Sequence, residues 1–190
     1  MSINQFSKNM VMPVCLITVK SGSFINSMTV AWNTPLSANP PLFGFAIKKQ
    51  RYTYPMLIKE KEFTVTFLPY EKAELSVKLG RISAREGDKL LAVGVKMKDS
   101  EFVKAPYIED GYFSMECTLE NSFTTGDHEF VVGKVVAVHE NEGSLENLKP
   151  LMYLTKDTFS TIDAGKIKKI DTKRIIEEIR IMLKRGVQGD

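Results

Sequence analysis

Short runs of β-branched and apolar residues, each closed by turn formers, recur along this chain and constrain its fold more than any other feature. Pro13 to Val19 (PVCLITV) and Phe24 to Ala31 are separated by Ser21, Gly22 and Ser23, the spacing of a β-hairpin. Leu42 to Lys48 supplies a third strand. Glu62 to Leu68 (EFTVTFL) supplies a fourth, its polar and apolar residues alternating as a half-buried strand requires. Tyr112 to Glu120 and Phe130 to His139 resume the pattern, with Asn121 to Glu129 read as their connection. Gly133 falls inside the last run and predicts a bulge or a close backbone approach. The early and late strands need a long return connection, as in a closed or partly closed barrel. The interior of a small barrel is filled by side chains, so a ligand has to bind on its outside or at its rim.

Between these runs the chain is polar and helix-compatible. Glu71 to Leu79 reads as a helix, and Gly80 to Asp99 as a loop, a short helix and a turn. Thr172 to Arg185 is a marked final helix: Thr172 can cap it, Ile175, Ile176, Ile179, Met182 and Leu183 form one apolar stripe, and Gly186 stops it after Lys184 and Arg185. Before it, GSLENLKPLMYLTKDTFSTI suggests a turn and two short strands. The expected organisation is a single domain over residues 1–190, with a mainly β barrel at about 10–162 and a C-terminal helix at about 172–185.

A chain of 190 residues can bury a substantial core without staples, and 43% hydrophobic with 26% charged residues is ordinary for a soluble globular protein. A net charge of +3 is too small to imply nucleic acid, and no apolar run approaches the roughly 18 residues of a membrane span. MSINQFSKNMVMP lacks the pattern of a signal peptide, so a cytoplasmic protein is expected. Cys15 and Cys117 lie in separate strands without C-x-x-C spacing and read as reduced core thiols. Two histidines and two scattered cysteines do not build a protein-only zinc site, and no metal is expected. There is no G-x-G-x-x-G after a strand, no Walker lysine, no G-x-S-x-G and no H-E-x-x-H.

The chemistry concentrates between Asn26 and Thr53. Asn26, Ser27, Met28 and Thr29 form a polar strand edge that can offer amides and hydroxyls to a planar heterocycle, with Met28 or Trp32 covering a face. After a Pro/Asn-rich loop and the third strand come Lys48, Lys49, Arg51, Tyr52 and Thr53, with Pro55 just beyond. Thr53 reads as an N-cap and Pro55 as an early-turn residue, opening a short helix through Met56, Leu57 and Ile58. A helix N-terminus ringed by cations suits a terminal phosphate. On residue chemistry alone a basic turn between a strand and a helix is the favoured reading, and the phosphate site needs support from elsewhere in the chain.

The run NSMTVAWNTPLSANPPLFGFAI, followed by RYTYPMLIKEKEFTVTFLP and later by GDHEFVVGKVVAVH, resembles the flavin reductase-like family of FMN-binding split barrels, nearest its flavoredoxin-like branch. The likeness extends from about Met12 to about Glu140, with GRISAREGDK at the family's connecting loop. It implies a Greek-key split β-barrel that binds FMN in preference to FAD, works as a homodimer and takes electrons from NAD(P)H for a small-molecule or protein acceptor. It implies that Asn26, Ser27, Met28, Thr29, Ala31 and Trp32 meet the isoalloxazine and ribityl parts, and that Lys48, Arg51, Tyr52 and Thr53 hold the phosphate. The connecting loop brings Arg81, Ser83 and Lys89 as further contacts. His128 of the G-D-H motif lies near the flavin and nicotinamide in such proteins and is the candidate catalytic residue. Neighbouring Asp127 and Glu129 would favour its charged form, although a solvated turn histidine has the same neighbours.

The chain departs from the commoner family pattern at Ala31, where many flavin reductases have serine. The A-W pair is more flavoredoxin-like and favours a protein that retains FMN. Two alternatives remain: a carrier reduced by a protein partner, without NAD(P)H activity, and a non-enzymatic barrel that binds another ligand.

Overall fold

The computed structural model describes residues 6–7, 10–140, 148–166 and 168–186. Its centre is a seven-stranded antiparallel sheet in the order β3-β2-β6-β9-β10-β5-β4. The strands are β2 (Cys15–Ser21), β3 (Phe24–Val30), β4 (Asn33–Ala38), β5 (Pro41–Ile47), β6 (Glu62–Phe67), β9 (Phe113–Thr125) and β10 (His128–Glu140). The sheet curls until β3 and β5 approach each other, and Ala46 N, donating to Trp32 O at 2.9 Å, carries the β4–β5 ladder back toward the end of β3. Beyond that point the barrel is split. A short strand β1 (Met12–Pro13) joins β11 (Met152–Thr155) and β12 (Thr158–Ser160) in a second sheet, and β7 (Met97–Lys98) pairs with β8 (Tyr107–Ile108).

Alternation within β2 divides the core. Cys15, Ile17 and Val19 face inward with Phe45, Ile47, Phe63, Val65 and Val131, and helix α1 (Thr53–Glu60) adds Met56 and Leu57 to this cluster. Val14, Leu16 and Leu68 face outward and are covered by Leu79 of α2 (Ala73–Arg81), Leu90 of α3 (Lys89–Val93) and Leu151. Helices α1 and α2 therefore lie on opposite faces of the same edge of the sheet. Cys15 and Cys117 are free and buried, and burial pushes both thiols up, Cys117 to about 12.

Gly133 does what its position predicts. The β9–β10 register shifts between Val132 and Gly133, and a Cβ there would stand 2.4 Å from Phe63 Cζ, so only glycine lets that ring fill the barrel. Other expectations need correction. Asn33–Ala38, read as part of a loop, is an edge strand on β5; its Pro35 is tolerated because an edge strand need not donate on both sides. The connection expected at Asn121 to Glu129 shrinks to Gly126 and Asp127, with Gly126 left-handed at φ 67°. Asn121 to Thr125 look like loop because they are polar, yet they pair with β10, and Phe123 packs on Phe130 at 5.7 Å.

The final helix α4 (Thr172–Gly186) forms as expected, but Asp171 rather than Thr172 caps it, accepting from Arg174 N at 3.1 Å. Of its stripe, Ile176, Ile179 and Met182 are 48%, 50% and 67% exposed, while Ile175 is half-buried. Leu183, Lys184 and Arg185 lie outside the described side chains. No helix among the described residues is long and apolar enough to cross a membrane.

Candidate functional site

Strand β3 ends the sheet, so the N–H and C=O groups that point away from β2 have no strand partner. Two helices hold this open edge from either side. On the α1 side Asn26 Nδ2 donates to Thr53 Oγ1 at 2.8 Å; on the α2 side Thr29 Oγ1 donates to Ser76 O at 2.6 Å. Gly80 sets how closely α2 approaches, because a Cβ there would come within 3.0 Å of Thr29 Cβ.

A cleft of about 400 Å³ opens between the ends of these helices. Asn26, Met28 and Thr29 form its floor, Lys48 and Gln50 to Thr53 one wall, and Leu79 to Arg85 with Lys89 the other. A second cavity of about 220 Å³ continues along β3, sharing Thr29, Arg51, Gly80 and Arg81 and adding Ala31, Ser76, Tyr153 and Phe159. Together they form a trough along the open strand edge. Asn26 is buried, and its Oδ1 has no hydrogen-bond partner among the described residues.

Five cations line the cleft, and their partners divide them. Lys48 Nζ is 2.9 Å from Asp127 Oδ2, and Arg81 is paired with Asp157, its Nε donating to Asp157 Oδ1 at 3.1 Å. Arg51, Arg85 and Lys89 have no carboxylate within ion-pair distance among the described residues. Lys89 Nζ donates to Leu79 O at 2.5 Å and Ile82 O at 3.0 Å, closing the last turn of α2. Burial, and secondarily the Arg51 charge, lowers the Lys89 ammonium to about 8. The result is a concave patch with more positive charge than the protein neutralises.

Ten of the residues singled out from sequence meet in this cleft: Asn26, Met28, Thr29, Lys48, Arg51, Tyr52, Thr53, Arg81, Ser83 and Lys89. Ala31 lies in the adjoining cavity. Ser27 is the exception on β3: its side chain is fully buried, and its Oγ accepts from Thr18 Oγ1, directly across from it on β2, at 3.0 Å. Only its backbone can serve a ligand. Thr53 is the first helical residue of α1 and not its N-cap; Tyr52 holds that place, and the Thr53 hydroxyl is engaged by Asn26.

Trp32 and His128 stand together beyond the cleft, their rings 4.9 Å apart. His128 Nδ1 is 2.6 Å from Asp127 Oδ1, and the other oxygen of that carboxylate, Oδ2, holds Lys48, so a Lys48–Asp127–His128 chain runs from the cleft to the histidine. Hydrogen bonds from Lys48 and then His128 hold the Asp127 carboxyl down at about 2. Glu129, expected as the second acid beside His128, turns away to Thr124, Lys49 and Tyr54.

Sequence reasoning passed over Gln50 and Arg85, which complete the cleft, and Tyr153 and Phe159, which wall its extension. Arg85 lies inside the quoted loop and its cationic side chain was the available signal. Tyr153 and Phe159 are some 120 residues from β3 and carry no local sign of meeting it.

The chain matches the flavin reductase like domain family over residues 7–162. An FMN-binding protein from Thermus thermophilus, solved with bound p-hydroxybenzaldehyde, superposes with a TM-score of 0.80 at 31% identity, covering 89% of this chain and 96% of that one. A flavoredoxin from Methanosarcina acetivorans shares the fold with a TM-score of 0.81 at 22% identity, covering 93% and 98%. A flavin reductase from Pseudomonas putida is 25% identical over 123 residues, 64% of this chain and 69% of that protein. With a split barrel, an open strand edge and a match over most of its length, the chain belongs to the flavin reductase-like domain family.

Proposed function

We propose that this protein binds FMN in the trough along β3 and passes electrons from NAD(P)H through it to an acceptor. The observation that carries the reading is the convergence of Arg51, Arg85 and Lys89, none with a carboxylate partner among the described residues, on the cleft floored by Asn26. A phosphate monoester supplies the missing negative charge, and charge-assisted hydrogen bonds to it are among the stronger ones available. The unpartnered Asn26 Oδ1 and the free edge of β3 fit a ligand that has donors as well as acceptors. The bound flavin would supply hydride and electron chemistry, and the protein position, charge and access.

In this reading Arg51 and the α1 wall hold the phosphate, while the edge of β3 from Met28 to Ala31 receives the heterocycle. Trp32 and His128 border the site where a nicotinamide would approach. The Asp127 carboxylate fixes the His128 ring through Nδ1, so His128 orients the donor while no proton transfer is required of it. A homodimer belongs to the same reading: a second copy covers the exposed Ile176, Ile179 and Met182, and sedimentation of the intact chain tests it.

One observation favours a second reading. Ala31 leaves the trough without a hydroxyl that many flavin reductases have there, which suits a carrier that retains FMN and is reduced by a protein. A visible spectrum after FMN is added and excess removed, followed by anaerobic NADH and NADPH in the same cuvette, separates the two. A retained spectrum bleached by either nucleotide supports the reductase, and one bleached by neither supports the carrier. Absence of binding on titration would sink both.

A further inference from the structure

The α2–α3 loop, residues 82–88, is braced at its base and spans the cleft at its tip. Lys89 ties the end of α2, and Asp88 caps α3 by accepting from Leu91 N at 3.0 Å. Inside the loop, Ser83 N donates to Glu86 Oε1 at 2.9 Å and Arg85 N donates to Ser83 Oγ at 3.3 Å. Glu86 is thereby engaged with the backbone and makes no ion pair with Arg85.

From this braced tip Arg85 reaches the opposite wall. Its Nη2 donates to Gln50 O at 3.1 Å, and its guanidinium lies 5.6 Å from the centroid of the Tyr52 ring. Tyr52 is a fixed platform, since Phe24 packs against it edge-on at 5.9 Å. A neutral carbonyl and a half-buried ring are modest partners for a guanidinium, whose planar fork matches a phosphate better. The Gln50 carbonyl it holds belongs to the same wall as Arg51, which has no carboxylate partner among the described residues.

Resting on the FMN reading, we propose that Arg85 is a strap that closes the cleft behind the phosphate and sets how long the flavin stays. Its guanidinium exchanges Gln50 O for a phosphate oxygen while it keeps its contact with Tyr52, so the two walls are joined through the ligand. No covalent step is involved. Arg85 thereby decides between a resident cofactor and a flavin that exchanges as a substrate.

The test compares dissociation of FMN and of riboflavin from the wild type, Arg85→Ala and Arg85→Lys, followed by recovery of flavin fluorescence on dilution. Arg85 is exposed, so neither substitution removes a buried contact. The expected result is FMN release accelerated about tenfold or more in Arg85→Ala, an intermediate value in Arg85→Lys, and riboflavin release unchanged. Unchanged FMN release, or equal acceleration of both flavins, overturns the strap and leaves the flavin reading standing. A wild-type protein that takes up neither flavin overturns that reading and the strap with it.

Discussion

Two places in this molecule gather donors around a point, and only one of them contains an anion. On β9, Glu116 is fully buried and completely engaged: Oε1 accepts from Glu101 N at 2.8 Å and pairs with His139 Nε2 at 2.7 Å, and Oε2 accepts from Phe102 N at 2.7 Å and Val103 N at 3.1 Å. Tyr107 stacks on His139 at 4.3 Å and fixes the imidazole. Burial pushes the carboxyl up, but the N–H groups and His139 outweigh it and leave its pKa lowered. At the cleft, among the described residues, Arg85 and Lys89 hold carbonyls, Arg85 also a ring, and Arg51 has no carboxylate partner. A carboxylate supplied by the chain makes the first place structural. Its absence from the second leaves room for a ligand's negative charge.

The contrast is sharpest where it costs most. Glu116→Ala strands the buried Val103 N–H, two part-buried N–H groups and an imidazole, and should lower unfolding free energy by about 3–5 kcal/mol in urea denaturation. FMN retained per folded molecule should be unchanged. A loss below about 1 kcal/mol would mean that the loop at 101–103 does not depend on this carboxylate.

Arg51→Ala should do the reverse, weakening FMN by about 1.5–3 kcal/mol with little effect on stability or on riboflavin, which lacks the phosphate. Equal losses for both flavins would remove Arg51 from the phosphate role. A pH titration gives two effects of opposite sign. Lys89 has its folded pKa lowered to about 8, and the unfolded value lies near ~10.4. Between these the unfolded chain binds more protons, so stability rises with pH. FMN affinity falls over the same range as Lys89 gives up its charge, and riboflavin affinity should not follow. The smallest change is expected for His139→Asn, which leaves the three N–H bonds to Glu116 intact and should cost about 1 kcal/mol.

What was legible in the sequence follows the range over which each signal acts. The strand runs, the hairpin at Gly22 and the bulge at Gly133 are written in alternation and glycine placement within a few residues. The cleft was visible because Asn26 to Thr53 brings one floor and one wall in a single stretch, and the family resemblance placed GRISAREGDK opposite it. The side-chain directions were harder. Ser27 and Thr29 share a face, yet one is sealed against Thr18 and the other reaches the cleft, a difference set by α2 and not by β3. Lys48 and Arg51 look equivalent in sequence. Only the fold separates them: it brings Asp127 to Lys48 and, among the described residues, no acid to Arg51.

The open edge of β3 has a consequence for the protein without its ligand. β4, at the far end of the sheet, carries Pro35, which blunts it as a template, whereas β3 reads FINSMTV with neither proline nor charge. Under the flavin reading, the rim of the heterocycle lies where an eighth strand would be and occupies groups that otherwise invite a neighbouring chain. The cofactor is then a guard against edge-to-edge aggregation, and the flavin-depleted protein is the form expected to fall out of solution first.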